Sequence, residues 1–83
     1  MNKNKRYVTS VTQHSDQFLA ILLGLKSILG MPISIAKPIA KSKPGVTVEL
    51  NPHFEINSEL STDEIKNQLD EYEIEITITN QQL

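Results

Sequence analysis

Residues 60–79, LSTDEIKNQLDEYEIEITIT, hold the clearest structural signals in the chain. Ser61 and Glu64 have the spacing of a capping box, in which each side chain accepts a hydrogen bond from the backbone amide of the other at the start of a helix. The apolar residues that follow are spaced so that they share one face of that helix: Ile65, Leu69 and Tyr72. The stretch therefore predicts a helix that begins after Ser61 and packs through one side on a sheet.

The end of the same stretch alternates strictly between apolar and polar residues. From Glu73 to Thr79, isoleucine occupies every second position, and Glu or Thr occupies the positions between. Successive side chains of an extended strand point to opposite faces, so this pattern predicts a strand with one buried face and one face in solvent. A one-sided helix followed by a one-sided strand indicates an α+β domain.

A second helix is predicted over residues 16–29. Ser15 or Asp16 can cap its start, and Gly30 followed by Pro32 is a typical helix end. Apolar side chains occupy most of the circumference, so most of this helix needs to be covered. The remaining arc carries small residues that would let another backbone approach closely: Ala20, Gly24 and Ser27.

Three further segments are predicted as strands from their β-branched or alternating residues: 6–13, 32–36 and 46–50. With residues 37–45 as a solvated connection, the order of elements is β-α-β-β-α-β. This order is the ferredoxin-like arrangement, a two-layer sandwich with both helices on one face of a four-stranded antiparallel sheet. If the first segment does not form a strand, a three-stranded sheet with two helices remains.

The length of 83 residues predicts one α+β domain at residues 6–80, with a flexible basic tail at 1–5 and a flexible tail at 81–83. A domain of this size buries only about 60% of the surface that its unfolded chain exposes. Its stability is therefore marginal, and a homodimer or another bound partner would increase it.

The composition favours a cytoplasmic protein. The chain has no cysteine, which excludes a disulfide framework and a thiolate metal site. Its basic start followed by apolar residues resembles a secretory signal, but Asp16 and Lys26 interrupt the pattern. The apolar run is also shorter than the ~20 residues that span a bilayer, so no membrane partner is expected.

Charge is divided unevenly along the chain. Residues 1–45 carry seven basic residues against one acidic residue, a net charge of +6, and residues 46–83 carry one against nine, a net charge of −8. The basic half suggests nucleic-acid binding as an alternative function, in which phosphates would be neutralised by the basic tail with Arg6 and by three loop lysines. These lysines are Lys37, Lys41 and Lys43. The low aromatic content and the single arginine argue against sequence-specific base recognition.

The sequence predicts no catalytic residue, cofactor or metal site, and therefore a protein that is not an enzyme. Its glycines form no phosphate-binding loop. His14 and His53 are far apart in the chain and would need carboxylates to complete a zinc site. Ser10, His14 and Asp16 are the residue types of a catalytic triad, but their closeness in sequence does not establish its geometry or an oxyanion hole.

A binding or assembly module is the remaining class. We expect a small accessory protein that acts by protein–protein interaction or self-assembly, as a homodimer that also has an unidentified protein partner. The expected surfaces are an exposed sheet edge and the first helix, where the interface residues are Leu19, Ala20, Leu23, Gly24 and Ser27. A small-ligand regulatory domain with a pocket at a subunit boundary is a third possibility.

Overall fold

In the computed structural model, which describes residues 4–82, three strands and three helices follow one another in the order β-α-α-β-α-β. The strands are β1 (Asn4–Gln13), β2 (Thr47–Glu55) and β3 (Ile74–Gln82), and the helices are α1 (Phe18–Leu29), α2 (Ile33–Lys41) and α3 (Thr62–Asp70). The strands form one antiparallel sheet, so the α+β class is confirmed. Of the predicted tails, residues 1–3 and 83 lie outside the described residues.

β1 lies in the centre of the sheet, with β2 on one side and β3 on the other. Val8 and Ser10 of β1 face Ile78 and Thr77, which are adjacent residues of β3. Thr9 is therefore an extra residue in β1, the geometry of a β-bulge. The bulge belongs to β1 alone, so β3 keeps a regular backbone along its whole length.

The segment predicted as the second strand, 32–36, begins a helix instead. Pro32 is the N-cap of α2, and its carbonyl oxygen accepts hydrogen bonds from the amides of Ile35 and Ala36. A short alternation suggested a strand, but apolar residues three and four positions apart bury one face of a helix. These buried residues are Ala36, Ile39 and Ala40.

The ferredoxin-like arrangement is therefore not formed by residues 4–82. α2 replaces one of its four strands and part of the connection predicted at 37–45. The observed sheet has three strands, as in the alternative prediction, but the first strand is present and the helices number three.

The elements predicted from residues 60–79 are confirmed. Ser61 Oγ accepts a hydrogen bond from the Glu64 amide at 3.2 Å, and the Glu64 carboxylate accepts one from the Ser61 amide at 3.4 Å. α3 follows directly, and β3 contains the alternating isoleucines. The first predicted helix is also present, although it begins two residues later than expected, at Phe18.

The helices cover one face of the sheet and leave the other face in solvent. Buried strand and helix residues form one apolar cluster, which includes Val8, Val11, Ile21, Leu25, Ile39, Ile65, Leu69, Ile74 and Ile76. The opposite face of the sheet is polar, with exposed residues that include Thr47, Glu75, Thr77 and Thr79. This two-layer arrangement leaves the outer surface of the helices and both edges of the sheet for other contacts.

Gln13, at the end of β1, forms hydrogen bonds with the segment that leads into α1 and with the segment that leads into β2. Its side chain is fully buried, donates a hydrogen bond to the carbonyl oxygen of Ser42, and accepts one from the Ser15 amide at 2.8 Å. Its backbone carbonyl oxygen accepts a further bond from the Gly45 amide at 2.8 Å. The Gln13 side chain thus provides hydrogen-bond partners for two part-buried backbone groups, the Ser15 amide and the Ser42 carbonyl oxygen.

Replacing Gln13 by leucine tests the contribution of these side-chain hydrogen bonds to stability. Gln13→Leu keeps the approximate volume but leaves the Ser15 amide and the Ser42 carbonyl oxygen without their partner, so we expect the free energy of unfolding to fall by about 2–4 kcal/mol. Urea denaturation measures it. The exposed Gln68→Leu on α3 is the matched control and should change stability by less than about 0.5 kcal/mol. Equal stability of the two variants would contradict the role of Gln13.

Candidate interaction surfaces

Two leucines on α1 face solvent one helical turn apart. Leu19 is 75% exposed and Leu23 is 58% exposed, while Ile21 and Leu25 on the other side of the helix are completely buried. A helix with a buried apolar face normally presents polar residues on its outer face. We call Leu19 and Leu23 the α1 ridge. Ser27 continues it by one more turn and is also exposed.

The small-residue arc next to the ridge is used inside the protomer. Gly24 is buried, and a Cβ atom placed on it would lie 2.9 Å from Cγ of Tyr72. The ring therefore occupies the space in which the sequence predicted the backbone of a second copy, and Ala20 is half-buried. Of the five predicted interface residues, Leu19, Leu23 and Ser27 remain exposed.

The residues predicted to bind nucleic acid do not come together. Lys37 and Lys41 lie one turn apart on α2, and both are exposed, as is Lys43 in the turn that follows. Arg6 lies at the other end of β1 from Gln13, which contacts that turn, at a distance of about 23 Å along the strand. Its guanidinium donates hydrogen bonds to Thr62 Oγ1 at 3.2 Å and to the Ser58 carbonyl oxygen at 2.9 Å. Arg6 thus has a structural role in holding the start of α3.

Two ion pairs lie at the surface of the sheet. His14 Nε2 lies 2.8 Å from Glu75 Oε1, and Lys5 Nζ lies 3.7 Å from Glu55 Oε2. Within residues 4–82, no three His, Asp or Glu side chains are grouped as metal ligands would be. No helix in that part of the chain is long and apolar enough to cross a membrane.

An apolar groove of about 330 Å³ runs between α2 and β2. Its walls include Ile35 and Pro38 from α2 and Val48, Leu50 and Phe54 from β2. The sequence did not predict this groove, because it assigned part of α2 to a strand that would have paired in the sheet. A helix at this position leaves the inner face of β2 only partly covered.

The two edges of the sheet differ. In β2, residues 50–53 lie opposite the single residue Thr9 of β1, and Pro52 within them has no amide hydrogen to donate. β3 has neither an insertion nor a proline and runs for nine residues. The sequence shows that residues 73–79 contain no proline and no lysine. It does not show that this strand lies at an edge of the sheet, which only the strand order reveals.

Comparison of the chain with protein-family models, with curated proteins and with solved structures found no significant match. The candidate interaction surfaces of the described residues are the α1 ridge, the α2–β2 groove and the sheet edges.

Removing the α1 ridge should leave folding intact. Leu19→Gln/Leu23→Gln replaces two exposed side chains by others of similar helix propensity, so we expect the free energy of unfolding to change by less than about 0.5 kcal/mol. Leu25→Ala, in the core on the same helix, should cost about 2–5 kcal/mol. Thermal or urea unfolding measures the free energy of unfolding of both variants. A large loss of stability in the double variant would show that the ridge belongs to the core.

Proposed function

We propose that this protein is a small non-enzymatic accessory protein that acts through protein–protein contacts and forms a homodimer. The observation that carries the proposal is the α1 ridge, Leu19 and Leu23, which a lone protomer leaves in solvent. Exposed apolar side chains grouped on one element are typical of interaction sites. The ridge is where we expect a protein partner to bind.

The neighbourhood of the ridge supports this proposal. Lys26 and Ser27 lie beside it on α1 and are exposed, so the two leucines are bordered by polar side chains. An apolar centre with a polar rim is the usual composition of a protein interface. Two leucines are a small centre, which is suited to a reversible contact rather than to an obligate one.

The ionisable contacts of the described residues also fit a binding protein. They lie on the surface, as in the pairs His14–Glu75 and Lys5–Glu55, where solvent weakens the interaction between charges. Catalytic acids and bases are more often held in clefts. We therefore propose a function in binding and not in chemical transformation.

Nucleic-acid binding is the alternative. The exposed lysines at positions 37, 41 and 43 favour it, because their ammonium groups are open to solvent and can contact phosphates. The contacts of Arg6 with Thr62 and Ser58 weaken it, since they occupy the one side chain capable of bidentate recognition. A steep loss of oligonucleotide binding with rising salt is the behaviour that this alternative requires.

Light scattering across a dilution series, at low and at high salt, tests the proposed self-association. We expect a mass of twice 9.3 kDa at high protein concentration that falls toward 9.3 kDa on dilution. Backbone pairing and apolar contacts are little affected by salt, so the dimer should persist at high salt. A mass of 9.3 kDa at every concentration would contradict the proposal, and salt-sensitive binding of a labelled oligonucleotide by that monomer would then favour the alternative.

A further inference from the structure

We propose that the second copy binds at the free edge of β3, where the two β3 strands pair antiparallel about a twofold axis at Thr77 and join the two sheets into one of six strands. This inference rests on the proposed function, because it assumes self-association and names the surface responsible. It leaves the α1 ridge available to a different partner.

The contrast between the two sheet edges supports β3 as the pairing strand. Natural sheets protect exposed edges with bulges, prolines or lysines, which prevent another strand from pairing. β2 has such protection in its insertion at 50–53 and in Pro52. β3 has a regular backbone, no proline and no lysine, and its single charged residue after Glu73 is Glu75, whose carboxylate contacts His14 on the β1 side. Only the β3 edge offers an uninterrupted row of backbone groups.

The pairing with β1 shows which backbone groups of β3 are available. The carbonyl oxygen of Glu73 accepts a hydrogen bond from the His14 amide at 2.8 Å, so this carbonyl points toward β1 and the amide of Ile74, on the other side of the same trans peptide, points away from it. In an antiparallel ladder, successive residues point their amide and carbonyl groups to alternate sides. The backbone groups of Glu75, Thr77 and Thr79 therefore also point toward β1. Those that point to the free edge belong to Ile74, Ile76, Ile78 and Asn80.

A twofold axis at Thr77 brings these free groups together. Ile76 then lies opposite Ile78 of the partner subunit, and Ile74 lies opposite Asn80 of the partner subunit. Each of these pairs can exchange two backbone hydrogen bonds. On the inner face, Ile78 is half-buried in the single protomer, and the isoleucine opposite it would cover more of its surface. Cross-strand pairs of β-branched residues stabilise a sheet in this way.

The distribution of charge along β3 favours antiparallel over parallel pairing of the two β3 strands. The acidic residues are Glu73, just before the strand, and Glu75, near its start, and the residues from Ile76 to Gln82 are uncharged. Parallel pairing would place the two Glu75 side chains next to each other. Antiparallel pairing at Thr77 separates them by about 13 Å along the strands, which is beyond the ~8 Å over which charges interact at physiological ionic strength.

A polar groove beside β3 favours this register over its neighbours. The groove has a volume of about 290 Å³ and is lined by Lys66, Asn67 and Asp70 of α3 and by the start of β3. With the axis at Thr77, Asn80 of the partner subunit faces Ile74 and can place its amide in that groove. An axis at Ile76 would shorten the overlap and bring the two Glu75 side chains to about 7 Å. An axis at Ile78 would lengthen the overlap, but it would set Ile76 opposite Asn80 and leave one isoleucine pair, Ile78 with Ile78 of the partner subunit, in place of two.

A single engineered cysteine tests both the surface and the register. The chain contains no cysteine, and Thr77 is exposed, so Thr77→Cys introduces one accessible thiol. On the proposed axis, the two residues at position 77 form a non-hydrogen-bonded pair with Cα atoms about 4.5 Å apart, within the range of a disulfide. Mild oxidation should convert most of the Thr77→Cys protein into a covalent dimer.

Two controls use the same residue type on the same face of the sheet. Thr79→Cys places its thiols about 13 Å apart along the paired strands, and Thr47→Cys lies on β2. Both should cross-link at least tenfold more slowly than Thr77→Cys. Equal rates for the three variants would mean random collision and would overturn the proposal, as would cross-linking of Thr79→Cys in preference to Thr77→Cys.

A proline at position 80 tests the backbone hydrogen bonds. The Asn80 amide points away from β1, so Asn80→Pro removes a donor from the free edge and keeps the ladder within the protomer. The dimer loses two bonds by symmetry, and we expect the dissociation constant to rise at least tenfold. Asn80→Ala keeps the amide and should have a smaller effect. Equal dissociation constants for these two variants would contradict pairing through β3.

These measurements separate failure of the inference from failure of the proposed function. If light scattering shows a dimer of the wild type but Thr77→Cys does not cross-link, the β3 edge is excluded and self-association stands. If Leu19→Gln/Leu23→Gln is then monomeric, the α1 ridge holds the second copy. If the wild type is monomeric at every concentration, the proposed homodimer and its pairing through β3 both fail.

Discussion

The central position of β1 determines which surfaces the protein can offer. β1 is the only strand among residues 4–82 that pairs on both sides, so β2 and β3 are both edges of the sheet. The irregularity in β1 is confined to Thr9, and the larger insertion opposite it falls in β2. One edge of the sheet is therefore interrupted and the other is regular. That difference arises within the protomer, and it is the reason for proposing β3 as the strand that pairs with a second copy.

One side of α1 is buried in the core, and the other side is exposed to solvent. Tyr72, in the turn between α3 and β3, covers Gly24 and draws α1 against α3. The close approach that the small residues permit is thus made to a side chain of the same chain. Leu19 and Leu23 lie outside this contact. Besides the α2–β2 groove, the described residues therefore offer an apolar ridge on one layer and a row of backbone groups at the edge of the other.

Local signals in the sequence predicted local structure well. The capping box at Ser61 and the alternating isoleucines of β3 each depend on neighbouring residues, and both are present in the structure. The segment after Pro32 was misread because five residues fit an alternating pattern as easily as the start of a helix. Strand order, the burial of Gln13 and the contact of Tyr72 with Gly24 join residues far apart in the chain. The surfaces that follow from them could be recognised only in the folded protein.

Amide hydrogen exchange in β3, measured by NMR at several protein concentrations, tests the role of its free edge most directly. The account predicts that the amides of Ile76 and Ile78 exchange rapidly in dilute protein, because they point away from β1, and become protected as the dimer forms. The amides of Glu75 and Thr77, which pair with β1, should be protected at every concentration. Dimer formation without added protection at Ile76 and Ile78 would contradict pairing through β3.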